Sequence, residues 1–509
     1  MKKNVLALYL SLVSLSVFAQ GNFIKDSLDV FVNREMKRWN MPGMSIAIVK
    51  DGKVIVAKGY GYADVAKKIP ATENTVFQIA SNSKAFTGTS LALLEHYGKL
   101  KLTDPVKKYL PYFRMKDAYL TEHVNINDVL SHRMGYATFQ TDLLNWAGTP
   151  SREYLVRNME NVDLPYGFRE QYGYCNIGFV VAGEVLKAVS DTTWDEYVKH
   201  HYFTPLGMTN SSTYFSDFMK NPNSSKAYAV INEKLVEIIP ANIDNIGPAA
   251  SISSSVIDIS KWIRMQIDNG MFEGKQVVPA QVIQKTRKSL SITGNGRGNL
   301  NHFSTYGLGW FMKDENGRKV ISHGGGANGF LSKTVIIPQE KFGFVILTNS
   351  DNQSLFEALS EILIKDATGQ NYFDYSSFFI KNNNENVKLE LDSVKKWKAE
   401  AAKIKPAKDA YKKLEGTYKH PVYGMVTVKA NANNAEMYFQ HHPQYKAVMQ
   451  WIGEERLVCE FNEHIAGYQV LRFFEKDGKQ VLDVKVNDFV DMDHYLFVKE
   501  SNTYVPFKK

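Results

Sequence analysis

Residues 76 to 87 read Val-Phe-Gln-Ile-Ala-Ser-Asn-Ser-Lys-Ala-Phe-Thr and place Ser81 three positions before Lys84. If a helix begins at Ser81, Lys84 lies one turn further along the same face, where its amine can approach the serine hydroxyl. An alcohol is a poor nucleophile until a base takes its proton, and a desolvated lysine can be that base. The stretch therefore indicates a serine nucleophile with Lys84 beside it.

The same spacing recurs at Ser393 and Lys396, inside a charged stretch with no other sign of chemistry. A Ser-Lys pair of this spacing is therefore a weak signal when it stands alone. The prediction depends on what else the sequence places around Ser81.

A second element is Tyr174-Cys175-Asn176, the only Tyr-any-Asn triplet in the chain, just before a helix predicted from about Gly178. We expect a nearby ammonium to lower the pKa of Tyr174, so that it can act as a base toward Ser81. Asn176 can orient a substrate amide or carbonyl. The alternative interpretation is a loop tyrosine followed by an asparagine at a helix start.

A third element follows a predicted strand and reads Ile-Ser-His-Gly-Gly-Gly-Ala-Asn-Gly-Phe over residues 321 to 330. Consecutive glycines let a substrate backbone lie close to the strand, and an exposed N–H there can complete an oxyanion hole with the N–H of Ser81. His323 can add a donor or a proton-transfer group. The alternative is a bulged strand with a chance histidine.

Together, and in this order, the three elements resemble the serine beta-lactamase-like family, which covers class C beta-lactamases, DD-peptidases, D-aminopeptidases and related esterases. The resemblance extends over roughly residues 25 to 370. Further stretches that carry it are Leu102–Val106, Tyr109–Pro111, Val124–Ile126, Leu130–Gly135, Pro205–Met208, Asp258–Trp262 and Tyr306–Trp310.

The resemblance implies roles for individual residues. It makes Ser81 the acylated nucleophile, Lys84 its proton-handling partner, Tyr174 the general base and Asn176 a hydrogen-bonding partner of the substrate. His323 becomes the counterpart of the lysine in the family's Lys-Thr-Gly element.

The resemblance also implies that the backbone N–H groups of Ser81 and Gly326 form the oxyanion hole, with Gly325 beside the substrate. Two departures from the family pattern matter. His323-Gly324-Gly325 in place of Lys-Thr-Gly removes a permanent cation and a hydroxyl, so we expect carboxylate-bearing beta-lactams to bind poorly. Ala249-Ala250 replaces a pair of glycines, which we expect to affect packing and not the chemistry.

The order of predicted elements indicates an α+β fold. Strands on both sides of a helical stretch, Thr75 to Lys261, can form one antiparallel sheet with an all-helical lobe beside it, as in the penicillin-recognising fold. The predicted strands include a hairpin around Asp51-Gly52 and, later, Tyr306–Phe311.

Beyond this part, the sequence changes character. We predict a catalytic domain over residues 20–380, a linker helix over 381–410 that breaks near Pro406, and a small closed antiparallel β-barrel over 411–509. The barrel resembles the lipocalin-like domain appended to some members of the family, through residues 414–418. Two interpretations stay open for it: a packing or oligomerisation module, or a ligand cup or lid over the active site.

Composition excludes several classes of protein. With 509 residues, 44% hydrophobic and 22% charged, the chain is typical of globular proteins with two or more domains. The formal net charge of +8 is spread without a dense basic block, so neither nucleic-acid binding nor stable membrane insertion is indicated. The two cysteines, Cys175 and Cys459, are far apart, so we expect both to be buried and free, with no metal site and no cofactor.

The first residues resemble a secretory signal peptide, residues 1–19, with Lys2 and Lys3 before an apolar stretch and a predicted cut after Ala19. We therefore expect an exported protein, periplasmic or secreted. Its predicted activity is hydrolysis of small peptide, amide or ester substrates through an acyl-Ser81 intermediate. The alternatives are a true beta-lactamase or DD-carboxypeptidase, and a catalytically silent binding module.

Overall fold

The computed structural model of the protein describes residues 23–231, 234–295, 302–351, 353–371, 373–407 and 409–507. The predicted signal segment, residues 1–19, lies outside the described residues. So does the middle of the loop before Phe303.

The strands before residue 350 belong mainly to one large sheet. In chain order the strands are β1 Gly43–Lys50, β2 Lys53–Asp64, β3 Ile69–Pro70, β4 Phe77–Gln78, β5 Ala227–Ile231, β6 Lys234–Ile238, β7 Ser253–Ser254, β8 Met271–Phe272, β9 Lys275–Gln276, β10 Ser291–Asn295, β11 Phe303–Tyr306, β12 Phe311–Glu315, β13 Arg318–Ala327, β14 Phe330–Ile337 and β15 Phe342–Thr348.

Nine of these strands form an antiparallel sheet in the order β10-β11-β12-β13-β14-β15-β1-β2-β3. β1 pairs with its hairpin partner β2 and also with β15, which follows the helical lobe in the chain. The turn at Asp51-Gly52 has the positive φ angles that a tight hairpin needs, and the predicted hairpin is confirmed. The predicted α+β fold is therefore confirmed.

Helices cover both faces of the sheet. They are α1 Phe23–Asp26, α2 Leu28–Arg38, α3 Ser83–His96, α4 Ala118–His123, α5 Ile126–Leu130, α6 Asp142–Asn145, α7 Arg152–Asn158, α8 Asn176–Ser190, α9 Trp194–Val198, α10 Thr204–Leu206, α11 Phe215–Lys220, α12 Gly247–Ala250, α13 Val256–Ile267, α14 Ala280–Thr286, α15 Leu355–Ala367 and α16 Tyr375–Lys403. Short 3-10 turns lie at Ala80–Asn82, Val106–Lys108, Met159–Asn161, Asp244–Ile246, Pro338–Glu340 and Lys412–Leu414, and a π-helical turn lies at Lys199–Phe203.

The central strand β1 is buried on both faces. Ile46 and Ile48 pack with α2 and α15, whereas Ala47 and Val49 belong to the larger core on the side of the helical lobe. A strand with two buried faces shows no polar-apolar alternation. Four consecutive residues of β1, Ile46 to Val49, are accordingly apolar.

One strand prediction is wrong. Tyr306–Phe311 is not a single strand: Tyr306 ends β11, Phe311 begins β12, and Gly309 between them has φ +81°. This left-handed backbone angle suits glycine and turns the chain back on itself.

The charged stretch predicted as a linker helix is α16, which runs from Tyr375 to Lys403 and ends before Pro406. Proline lacks the N–H that a continuing helix requires. The N-terminal end of α16 is fastened to α2, since Ser376 Oγ donates to Glu35 Oε2 at 2.5 Å and Trp39 Nε1 donates to Ser376 Oγ at 3.0 Å.

After α16, eight antiparallel strands form a closed barrel, as predicted. They are β16 Gly416–His420, β17 Gly424–Ala430, β18 Ala435–Phe439, β19 His442–Trp451, β20 Arg456–Phe461, β21 Tyr468–Lys476, β22 Lys479–Val484 and β23 Tyr495–Ser501. Its buried residues are mostly apolar, among them Met437, Met449 and Phe497, and they join the same core as the helical lobe.

The barrel lies against residues 146 to 158 of the helical lobe. His442 Nε2 donates to the carbonyl of Trp146 at 2.8 Å, and the N–H of Thr149 donates to the carbonyl of His441 at 2.9 Å. Asn158 Nδ2 donates to the carbonyl of Val422 at 2.6 Å. This contact brings one end of the barrel close to Ser81.

No helix in the described ranges is both long and apolar enough to cross a bilayer. Cys175 and Cys459 are buried and free, as predicted.

Candidate active site

Ser81 lies in a 3-10 turn, Ala80–Asn82, immediately before α3. Ala80 has φ +46°, an uncommon angle for a residue with a side chain, which costs about 1 kcal/mol or more. Ser83 holds the turn, because its hydroxyl donates to the carbonyl of Ala80 at 2.7 Å and accepts from the N–H of Ile252 at 3.1 Å. These two hydrogen bonds therefore help to hold the backbone turn that carries Ser81.

Lys84 is fully buried one turn after Ser81, and its Nζ is surrounded by three oxygen atoms. They are Ser81 Oγ at 3.0 Å, Asn176 Oδ1 at 2.7 Å and the carbonyl of Ala249 at 3.0 Å. Burial lowers the pKa of Lys84 to about 7, although the carboxyl of Asp142 opposes the shift. A substantial fraction of Lys84 is therefore neutral near pH 7.

The contact with Ala249 corrects an expectation about Ala249-Ala250. The methyl groups of both residues are buried in the core, as a packing change predicts. The carbonyl of Ala249, however, takes one N–H of Lys84, so this segment takes part in positioning the amine.

Tyr174 packs against the same amine, with Lys84 Nζ 4.7 Å from the centre of its ring. The expectation that the ammonium lowers the pKa of Tyr174 is wrong. Burial raises the pKa of Tyr174 far above its usual value, and a hydrogen bond with Ser81 opposes this shift only in part. Tyr174 is therefore held as a neutral phenol, which can donate a proton.

Asn176 is the first residue of α8 and connects Lys84 to a carboxyl group that the sequence did not single out. Asn176 Nδ2 donates to Asp142 Oδ2 at 2.6 Å, so its Oδ1 must face Lys84 as an acceptor. Asp142 is itself buried, and burial raises its pKa to about 8. Asp142 thus sets the orientation of the Asn176 amide.

His323 lies in β13, is 2% exposed and has both ring nitrogens occupied. Nδ1 lies 2.6 Å from the carbonyl of Gly324, which can only accept, so Nδ1 carries the proton. Tyr306 Oη, at 2.9 Å, donates to Nε2. Burial lowers the pKa of His323 to about 3, so the ring is neutral. In this tautomer neither nitrogen can donate to a substrate, which differs from the role expected for His323.

The glycine segment of β13 borders Ser81. β12 pairs with β13 only as far as Ser322, and beyond it β13 continues beside the 3-10 turn of Ser81. A Cβ atom at Gly325 would lie 2.2 Å from the carbonyl oxygen of Ile79 and 3.0 Å from the backbone N of Ser81. Only glycine allows this approach, which brings Gly325 and Gly326 to the nucleophile.

A cavity of about 550 Å³ joins these groups. The residues that line it are Ser81, Phe139, Asp142, Trp146, Tyr174, Asn176, Phe311, Lys313, Ser322, His323, Gly324, Gly325, Gly326, Leu331, Lys333, Phe356, Glu357, Glu361, Ile364 and Phe489. All but one of the predicted site residues line this cavity, namely Ser81, Tyr174, Asn176, His323, Gly325 and Gly326. The exception, Lys84, is buried and bonded to Ser81 and Asn176.

Asp142 and Phe489 are among the residues of this cavity that were not predicted as site residues from the sequence. Asp142 begins the short helix α6, between α5 and α7, and has no motif around it. Phe489 belongs to the segment between β22 and β23 of the barrel and lines the cavity through a tertiary contact that the sequence does not reveal. Within the described part of the chain, no group of His, Cys, Asp and Glu side chains is placed to hold a metal ion.

The chain is similar to several known proteins. The family model described as Beta-lactamase matches residues 28–368. "Protein flp" of Staphylococcus aureus (strain MRSA252) is 30% identical over 338 residues, 65% of this chain and 64% of the relative. "Putative penicillin-binding protein PbpX" of Bacillus subtilis (strain 168) is 26% identical over 268 residues, 52% of this chain and 61% of the relative. The chain thus spans less than two thirds of the length of these relatives.

A solved structure, the octameric penicillin-binding protein homologue from Pyrococcus abyssi, has the same fold with a TM-score of 0.58 and 23% identity. The match covers 92% of this chain and 99% of that one. Because the residues before the barrel make up less than 92% of this chain, the likeness in fold extends into the barrel. The site geometry and the family match lead to one conclusion: this chain belongs to the beta-lactamase family, whose members of this fold are penicillin-binding-protein-like serine hydrolases.

Proposed function

We propose that this protein is an exported serine hydrolase that transfers the acyl group of a peptide, amide or ester to water through an acyl-Ser81 intermediate. The observation that carries the proposal is the 3.0 Å contact between Ser81 Oγ and Lys84 Nζ, with the pKa of Lys84 lowered to about 7. A buried amine of this pKa is well matched to general-base work near neutral pH.

Acylation follows from the groups around Ser81. Neutral Lys84 takes the proton of the Ser81 hydroxyl while Oγ forms a bond to the substrate carbonyl carbon. The N–H groups of Ser81 and Gly326 are the proposed donors to the oxyanion. As the bond to the leaving group breaks, Tyr174 gives its proton to that group and is reprotonated by Lys84. The leaving group thus gains the proton of Tyr174, the proton of Ser81 passes through Lys84 to Tyr174, and one proton is transferred in total.

Deacylation uses the same groups in reverse. A water molecule that enters beside the ester of Ser81 gives its proton to Lys84 and forms the new bond to the acyl carbon. When the bond to Oγ breaks, the proton returns to Ser81. The product is a free acid, and the enzyme regains its starting state.

The environment of His323 favours ester, amide or peptide substrates over beta-lactams. The ring is buried and neutral, its nitrogens are occupied, and Gly324 offers no hydroxyl. A carboxylate bound there would meet a neutral ring that has no free N–H to donate. The lysines that line the same cavity, Lys313 and Lys333, are already paired with Glu361 and Glu357. We therefore expect carboxylate-bearing beta-lactams to be poorer substrates than uncharged esters and amides.

A second candidate is a beta-lactamase or DD-carboxypeptidase. Its support is the fold together with relatives described as penicillin-binding proteins. Nitrocefin separates the two candidates: we expect turnover far slower than that of a short activated ester, and faster turnover of nitrocefin would reverse the order.

Ser81→Ala tests the proposed function. We expect it to abolish both covalent labelling by a fluorophosphonate and hydrolysis of p-nitrophenyl acetate, because no other group in the mechanism can hold the acyl chain. Ser393→Ala is the matched control, since Ser393 also precedes a lysine by three positions but donates to the carbonyl of Leu389 on α16. Labelling that survives in Ser81→Ala contradicts the proposal, as does a wild-type protein that is not labelled at all.

We also propose export through a cleaved leader, supported by Lys2, Lys3 and the apolar stretch that follows. N-terminal sequencing of the protein from the expressing cell tests it. We expect the mature chain to begin at Gln20 in an extracytoplasmic fraction, and a chain that keeps residues 1–19 in the cytoplasm contradicts the proposal.

A further inference from the structure

One loop of the barrel lies at the cavity of Ser81. This loop, residues 485–494 between β22 and β23, is called the barrel loop below. Its Phe489 lines the same cavity as Ser81. A Cβ atom at Gly326 would lie 3.0 Å from Phe489 Cζ and 3.3 Å from Cε2, so the tip of the ring covers the glycine strand directly.

The barrel loop is held in this position from within. Asn487 organises it: its Oδ1 accepts from the N–H of Phe489 at 2.9 Å, and its carbonyl accepts from the N–H groups of Val490 at 2.8 Å and Asp491 at 3.1 Å. These bonds fix the backbone on both sides of Phe489.

The loop is also fastened to the helical lobe. Asp491, fully buried, accepts from the N–H of Leu143 at 2.8 Å through Oδ2 and from the hydroxyl of Tyr495. Leu143 follows Asp142, whose carboxyl orients Asn176. The barrel is therefore joined to the same segment that forms one wall of the cavity.

Three apolar side chains share the cavity with Phe489, beside charged ones that include Lys333 and Glu357. Phe139, Trp146 and Leu331 line the same cavity. Trp146 is fixed by two bonds, since its Nε1 donates to Asn328 Oδ1 at 3.1 Å and its carbonyl accepts from His442 of the barrel. Such a cavity binds an apolar group by burying its surface, and an aromatic wall limits how large that group can be.

We propose that Phe489 is a specificity-determining residue: the barrel completes the acyl pocket, and the ring of Phe489 sets the size of the apolar acyl group that Ser81 accepts. The acyl group is the part of the substrate that stays in the cavity as an ester of Ser81 after the leaving group departs. The inference rests on the proposed function and adds to it a substrate class, acyl donors with a compact apolar group.

Phe489→Ala tests the inference in the full-length protein. The side chain is 40% exposed, so its removal leaves the core in place. We expect the ratio of kcat/KM for p-nitrophenyl benzoate to that for p-nitrophenyl acetate to rise about tenfold, because the wall that limits the larger acyl group is gone. Phe489→Leu keeps part of the wall, so its ratio should lie between those of Phe489→Ala and the wild type. If Phe489→Ala does not fold, Phe489→Leu is the variant to be measured.

Met492→Ala is the matched control. Met492 lies in the same loop, is 51% exposed and is not among the residues that line the cavity. Its ratio of the two substrates should equal that of the wild type. A ratio in Phe489→Ala within twofold of the wild type overturns the inference, and so does an equal rise in Met492→Ala.

Labelling by a fluorophosphonate separates this inference from the proposed function. If Ser81 is labelled in the wild type and in Phe489→Ala but the substrate ratio is unchanged, the inference fails and the proposed function stands. If the wild type is not labelled, the proposed function fails and the inference fails with it.

Discussion

At the scale of single residues, the surroundings of Lys84 decide the direction of its hydrogen bond to Ser81. The carbonyl of Ala249 can only accept, and Asn176 Oδ1 must accept because the other end of the amide donates to Asp142. Two N–H bonds of Lys84 are thus assigned. The third position faces Ser81 Oγ, which accepts from an ammonium and donates to a neutral amine.

The first prediction is a pH profile. Because only neutral Lys84 can take the proton of Ser81, kcat/KM for p-nitrophenyl acetate should rise with pH and level off above an apparent pKa of about 7. Measuring it over about two pH units on either side of 7 is sufficient. Lys84→Met should lose most of the activity at every pH, and a flat wild-type profile contradicts Lys84 as the base.

The second prediction concerns Asp142 as a positioning residue that acts through Asn176. Asp142→Ala removes the acceptor of Asn176 Nδ2, so the amide is free to turn and Lys84 loses a fixed partner. We expect kcat to fall about tenfold to a hundredfold with a smaller change in KM. Asp142→Asn should restore most of the activity, since its amide oxygen can still accept from Asn176 Nδ2, although the bond that Asn145 donates to the other oxygen is lost.

Steady-state kinetics of both variants check the second prediction. A merely structural role for Asp142 predicts that the alanine and asparagine variants lose stability together, with kcat restored in neither. Equal kcat values in the two variants would therefore contradict the positioning role.

At the scale of elements, β13 matters because two adjacent glycines face different surroundings. A Cβ atom at Gly325 would collide with the backbone of Ile79 and touch that of Ser81, whereas at Gly324 the nearest atom would be the carbonyl oxygen of Ser332 at 3.7 Å. Backbone atoms cannot move aside as a flexible side chain can. The strand and the nucleophile turn are therefore packed against each other at Gly325.

The third prediction compares the two glycines. Gly325→Ala should destabilise the protein by about 1–3 kcal/mol and slow fluorophosphonate labelling, because β13 must move away from the turn that holds Ser81. Gly324→Ala should change the free energy of unfolding little. Urea unfolding of both variants checks this, and equal losses of stability would show that the approach at Gly325 is not the tight one.

Some features of this fold and site could be predicted from the sequence, and others depend on tertiary contacts. The hairpin at Asp51-Gly52 and the Ser81 to Lys84 spacing follow from local rules, so they could be predicted. The pKa of Tyr174 could not, because it depends on burial, and burial is produced by the lobe, the sheet and α3 together. The tautomer of His323 depends in the same way on Tyr306, which a tertiary contact supplies.

At the scale of the whole molecule, the barrel and the helical lobe share two buried carboxyl groups. Asp142 comes from the lobe and Asp491 from the barrel loop, and the charge of Asp491 adds to burial in raising the pKa of Asp142 to about 8. Burial raises the pKa of Asp491 to about 7. In the folded protein these two carboxyl groups therefore stay protonated up to a higher pH than they do in the unfolded chain.

The last prediction follows from the raised pKa of Asp491. Between the usual aspartate value of 3.8 and about 7, folded Asp491 keeps a proton that the unfolded chain has lost, so its contribution to stability is present below pH 3.8 and is lost as the pH rises toward 7. Asp491→Asn removes this titration while keeping an oxygen that accepts from the N–H of Leu143. Urea unfolding from pH 5 to pH 7 should then show a smaller fall in stability for the variant than for the wild type.

The test compares the variant with the wild type, because other groups also change the stability with pH. Burial lowers the pKa of His323 to about 3, so this histidine changes the stability in the opposite direction at acid pH. Asp488→Asn is the control, because it removes a carboxylate from the exposed side of the same loop, where Asp488 pairs with Lys485 at 2.8 Å. Its pH dependence should follow that of the wild type. If Asp491→Asn also follows the wild type, Asp491 does not hold the proton, and the barrel would be joined to the lobe by hydrogen bonds and apolar packing alone.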